Sequence, residues 1–281
     1  MRKLSSSSYF TIFLAIVTVV LFAPSLLWLA KRTAAHEQLH HALLIFVFSV
    51  AALIIVERKK LTVQFSVTNR FYGFLLGAFV IMACASFGGW TFLVGVAFSL
   101  AFSAWLGFFY GSDMYRVGNA LALAFLLFIG LTEAFQWFDW PLRSMAGQHS
   151  AWVLNHLGFE SQLHLKAGDV AKLILEVNRR PFEVASECNG YGLISSAAMV
   201  ALLVVAYRRM TLFDRILCVV AALFLGSLFN TLRILVIVLL APQVGDSYFL
   251  MHEIVGSVFF WGCLLIVWFM VRTFPEKRAA A

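Results

Sequence analysis

Apolar stretches long enough to cross a lipid bilayer recur along nearly the whole of this 281-residue chain. That recurrence restricts the fold more than any motif does, because each helical crossing of a ~30 Å hydrocarbon core uses ~20 consecutive apolar residues. Eight such segments are predicted, at about Tyr9–Ala30, His41–Val56, Phe71–Phe87, Trp90–Tyr110, Asn119–Trp137, Gly190–Tyr207, Ile216–Ala241 and Glu253–Val271. Composition excludes a water-surrounded alternative. Hydrophobic residues make up 62% of the chain and charged residues 12%, whereas a soluble domain carries roughly 45–50% and about 25%. The expected fold is an all-α polytopic membrane protein of about eight transmembrane helices with one long extracytoplasmic loop, residues 138–187. With no tandem repeat, linker or low-complexity tract, residues 1–281 read as a single transmembrane domain. The first segment is longer than the apolar region of a signal peptide and is read as retained.

Lys and Arg orient the segments, because cytoplasmic loops carry the positive excess. With the N-terminus inside, thirteen of the 21 basic residues fall on the cytoplasmic side and seven on the outer side, leaving Arg233 inside a segment. Both termini are therefore expected in the cytoplasm. The net charge of +7 reflects this orientation. Loops this short cannot build a basic nucleic-acid-binding face, so nucleic acid is not expected as a partner.

In the long loop, Ser150–Leu157 is expected to form an interfacial helix ended by Gly158, with Trp152, Val153 and Leu157 on one face. Gln162–Lys166 and Val170–Val177, separated by the turn-like Ala167-Gly168-Asp169, are expected to pair as a short β-ribbon.

Four cysteines are too few and too scattered for a disulfide framework or a paired-cysteine metal site. Cys84, Cys218 and Cys263 lie inside apolar segments, where a thiol behaves as a small buried hydrophobe. Cys188 lies elsewhere, in Glu-Cys-Asn-Gly-Tyr-Gly, where the long loop becomes the sixth helix. The positive end of a helix favours a thiolate, and Gly190 and Gly192 let another chain segment approach. An unreactive interfacial cysteine is the plainer reading of such a residue taken alone.

Two further polar residues fall at the same predicted depth. Arg233, in Asn-Thr-Leu-Arg, places a cation within the seventh segment, where a central arginine is disfavoured by ~2.5–3.5 kcal/mol and commonly faces the bundle interior. Snorkelling to the outer headgroups is the alternative. Asn230 is one turn earlier and is expected to steady the same polar pocket. His252 opens the eighth segment in His-Glu-Ile-Val-Gly and suits proton transfer, with Gly256 expected to clear space beside it. A nucleophile, a cation and an acid/base from three segments match acyl transfer, in which a thiolate attacks a carbonyl and a cation stabilises the oxyanion. No metal or other cofactor is implied.

Cys188-Asn189-Gly190, Asn230-Thr231-Leu232-Arg233 and His252-Glu253-Ile254-Val255-Gly256 stand in the order Cys-x-Gly, Asn-x-x-Arg, His-x-x-x-Gly. In this the chain resembles the exosortase/archaeosortase membrane transpeptidases, over about residues 150–271. The resemblance implies Cys188 as nucleophile, His252 as proton-transfer residue and Arg233 as stabiliser of the thiolate or oxyanion, with Asn189, Gly190, Asn230 and Gly256 in support. It further implies exported protein substrates whose C-terminal sorting tail comprises a short motif, a transmembrane helix and a basic cluster, and transfer to a surface acceptor at the outer side of the plasma membrane. One departure is Asn189, where the family commonly has Ser; another is Glu187, whose carboxylate beside the nucleophile opposes thiolate formation. Two rival readings are a transporter or assembly factor that binds an anion at Arg233, and an acyltransferase whose thiol takes its acyl group from a lipid.

Overall fold

The computed structural model describes residues 6–35, 37–57, 62–63, 65–111, 114–166, 171–185, 188–208 and 210–275. Among them are eight α-helices: α1 (Ser6–Ala34), α2 (Glu37–Glu57), α3 (Asn69–Gly88), α4 (Thr91–Tyr110), α5 (Tyr115–His156), α6 (Tyr191–Tyr207), α7 (Leu212–Val244) and α8 (Tyr248–Thr273). A three-stranded antiparallel sheet, β1 (Ser161–Lys166), β2 (Lys172–Val177) and β3 (Arg180–Glu183), lies between α5 and α6 in sequence. By length and composition, six of the described helices can cross a membrane, and α6 is a shorter apolar helix. The protein is an all-α polytopic membrane protein, and the sheet is a small addition to it.

The chain packs as two compact units, residues 1–37 with 50–130, and residues 38–49 with 131–281. In the first unit α3 and α4 meet along small residues, Ala78 against Ala97, Ala101 and Ala104, with Phe22 of α1 and Phe71 sealing the contact. Small side chains let helix backbones approach, the usual basis of helix association in lipid, where apolar surface alone gives no preference for a neighbouring helix. Cys84, expected as a small buried hydrophobe, is instead exposed on α3.

The second unit contains every residue singled out for chemistry. Its α6, α7 and α8 pack around Ala197, Ala201, Val205, Cys218, Ala222, Cys263, Val267 and Val271, so Cys218 and Cys263 are core hydrophobes as read. Helices α6 and α7 come close at Gly226, where a methyl would stand 2.9 Å from Ile194 Cα.

The region read as one long loop is largely ordered structure. Helix α5 does not stop at Trp137 but continues through Pro141 to His156, forming a 42-residue helix. At 1.5 Å per residue it is about 63 Å long, twice a ~30 Å hydrocarbon core. Ser150–His156 is therefore the last part of α5 and not a separate interfacial helix. Gly158, with φ +88°, lies where the chain turns away. The expected ribbon is present, shifted by a residue or two, and gains a third strand. A two-residue turn at Asn178 and Arg179, both at positive φ, connects β2 to β3. Ala167-Gly168-Asp169 lies outside the described residues. Leu173, Leu175 and Val177 of β2 pack on Ile234, Leu235 and Val238 of α7 and on Ala146, Ala151 and Leu154 of α5, which seats the sheet against one end of the bundle.

Candidate active site

Cys188 follows β3 by five residues and precedes α6 by three. Its N–H donates to the Ala185 carbonyl at 2.9 Å, and its half-buried side chain packs against the cluster formed by α5, the sheet and α7. Two residues on, Gly190 adopts φ +76°, a left-handed conformation that an L-residue enters at a cost of roughly 1–2 kcal/mol. The space its missing side chain leaves is occupied: an added methyl would lie 2.5 Å from Asn230 Cγ. Gly190 thus admits a side chain of α7.

Asn230, 2% exposed, uses that approach to donate from Nδ2 to the Cys188 carbonyl at 3.0 Å. One turn on, Arg233 is half-buried with Nε enclosed, and its NH2 group stands 3.5 Å from His252 Nε2 of α8. The guanidinium therefore faces the helices of this unit. Gly256, expected to clear space beside His252, clears it for Arg233 instead, since a methyl there would lie 3.3 to 3.4 Å from the guanidinium atoms. The glycine of each outer motif makes room for the polar residue of the middle one.

A guanidinium only donates, so a hydrogen bond across this gap requires His252 Nε2 as the acceptor and the imidazole proton on Nδ1. The exposed Glu253 carboxylate lies 3.7 Å from Nδ1, on the side that carries this proton. The Tyr248 ring flanks the imidazole at a centroid distance of 6.2 Å.

Asn189, only 1% exposed, accepts the Tyr191 N–H at 2.7 Å, which holds one of the otherwise unpartnered donors at the start of α6. It also donates to Asp139 Oδ1 at 2.5 Å, and Asp139 is in turn paired with Arg143 one helical turn along α5. A serine side chain is too short to make both contacts, so the departure at 189 comes with a partner on α5. Glu187 lies outside the described residues.

Three chain segments far apart in sequence thus meet in one cluster. The profile of the transmembrane exosortase family (Exosortase_EpsH) matches residues 28–269. The chain belongs to that family. No curated protein and no solved structure matches it. The match starts at Trp28, so membership extends well beyond the 150–271 region that the motifs mark, into helices that carry no comparable motif.

Asp139, Arg143 and Tyr248 are the site neighbours that sequence reasoning missed. Asp139 and Arg143 stand at i and i+4 in a stretch read as loop, and Tyr248 stands at the same spacing before His252. The (i, i+4) spacing was the available signal in both cases.

Proposed function

We propose that this family member is a cysteine transpeptidase or peptidase of the plasma membrane, with its active site on the extracytoplasmic side. It acts on exported proteins that carry a C-terminal sorting tail. The observation that supports this reading is the interlock of the motifs: Asn230 holds the carbonyl of Cys188, and Arg233, three residues later, reaches His252.

The chemistry proceeds in two transfers. Arg233 leaves the imidazole as substrate enters, which frees Nε2 to take the Cys188 proton. The thiolate adds to the scissile carbonyl, and the guanidinium stabilises the oxyanion that forms. Collapse breaks the C–N bond, and His252 passes its proton to the departing amine of the tail. The thioester left on Cys188 is then attacked by an acceptor nucleophile or by water. His252 takes that nucleophile's proton and returns it to the sulfur, and Arg233 again holds the oxyanion.

The test is mass spectrometry of a co-expressed protein bearing a candidate sorting tail, with wild type, Cys188→Ala and His252→Ala at equal expression. The expected result is loss of processing in both variants and a shortened product only with the wild type. Unchanged processing in Cys188→Ala would overturn the thiol mechanism and leave Arg233 as an anion-binding group.

A further inference from the structure

We infer that the free edge of β3 is the docking strip for the substrate's sorting motif, which joins the sheet as a fourth, extended strand leading to Cys188. The inference rests on the transpeptidase reading and gives it a place for the peptide.

Backbone pairing identifies the groups available. The two-residue turn closes on the pair Val177 and Arg180, and hydrogen-bonded pairs alternate along an antiparallel ladder. The Val184 N–H, at 2.8 Å from the Leu173 carbonyl, continues the same alternation. Arg180, Phe182 and Val184 therefore direct their backbone groups to β2, and Pro181 and Glu183 direct theirs away from the sheet. Proline falls at a position where its missing N–H breaks no ladder bond, a placement typical of edge strands. The outward groups are the Pro181 carbonyl and the Glu183 N–H and carbonyl, and none of them has a hydrogen-bond partner among the described residues. Pro181 and Glu183 are both exposed.

Continuity with the nucleophile selects the occupant. From Glu183 the chain passes through Val184 and Ala185, and the Cys188 N–H bonds back to the Ala185 carbonyl. That bond holds the thiol-bearing residue close to the edge, and Phe182, Val184 and Cys188 share one apolar cluster. A four-residue strand spans about 13 Å at ~3.3 Å per residue, the length of a short motif. Cleavage needs that motif extended so that its carbonyl is open to attack, and strand addition supplies affinity through the main chain while side chains set specificity. The opposite edge is less suited. On β1, the Asn155 amide already occupies both the N–H and the carbonyl of Ser161.

The experiment uses the full-length protein in membranes with the co-expressed tail substrate. A photoreactive benzoylphenylalanine is placed at Pro181, at Glu183 or, for comparison, at Leu165 of β1, each in the Cys188→Ala background so that substrate stays uncleaved. Adducts at 181 and 183 exceeding those at 165 by at least about tenfold are expected. A Glu183→Pro variant, which removes the one outward donor, is expected to raise the half-saturating tail concentration about tenfold, the scale of one lost hydrogen bond, with alkylation of Cys188 by a small maleimide unchanged. Tail processing by the wild type without adducts at 181 or 183, or with adducts concentrated at 165, overturns the docking strip and leaves the enzyme reading intact. Absence of Cys188-dependent processing overturns both.

Discussion

Gly190 and Gly256 have the whole of α6 and α7 between them in sequence, yet each is defined by a side chain from α7. At Gly256 an added methyl meets the guanidinium of Arg233 at 3.3 Å, so alanine requires a shift of a few tenths of an ångström, and a larger residue requires the arginine to leave. Gly256→Ala is therefore expected to retain part of the processing activity and Gly256→Leu none, with both proteins still recovered from membranes. Gly190→Ala is expected to be more severe. It combines the left-handed conformation with a 2.5 Å clash at Asn230, and a destabilisation of about 2 kcal/mol or more should appear as a lower melting temperature in detergent alongside lost processing. The spacing of these glycines was legible in the sequence, and so was their company with Cys188, Arg233 and His252. Their partners were not. A residue one turn after His252 looks locally like its neighbour, and only the packing of α8 on α7 turns that face towards Arg233.

At the scale of elements, helices were legible to within a few residues wherever their apolar runs were long. The error at α5 has a specific cause. Beyond Trp137 the chain becomes polar and contains Pro141, which together read as a loop. Yet Ala146, Gly147, Ser150, Ala151 and Leu154 are buried at helical spacing, and Asp139 pairs with Arg143 at i, i+4, so the periodicity persisted after the hydrophobicity had dropped. Strand β3 escaped notice for the opposite reason: Arg-Pro-Phe-Glu has no alternation of apolar residues, and the turn before it lacks the glycine that marks most two-residue hairpins. That turn offers a test of the sheet. Arg179 sits at φ +65°, so Arg179→Gly should stabilise the protein by about 1 kcal/mol through relief of the left-handed conformation, measured as a raised melting temperature. No change, or a fall, would argue against the hairpin.

For the molecule as a whole, the second unit repeats one length. Arg233 on α7 lies 21 residues on from Leu212, and Thr273 on α8 lies 21 residues on from His252, in each case about 32 Å of helix, close to a ~30 Å hydrocarbon core. Arg208, just after α6, donates to the Val271 and Phe274 carbonyls and so ties α6 to α8 at the end remote from the site. The arginine and histidine are thus one bilayer thickness from the basic end of the bundle. From the charge pattern that end is expected in the cytoplasm. In a cysteine-free background, Leu165→Cys is accordingly expected to react with a membrane-impermeant maleimide in intact cells, and Phe65→Cys, on the α2–α3 connection, only after permeabilisation. The reverse pattern would invert the topology.

That length has a further consequence for any protein processed here. Under the proposed function, a tail whose own apolar helix is held in the same bilayer is expected to present to the sulfur only the bond lying one fixed distance from its anchor. The spacer between anchor and scissile bond is then expected to act as a yardstick, with proteins that carry the right letters at the wrong height left uncut.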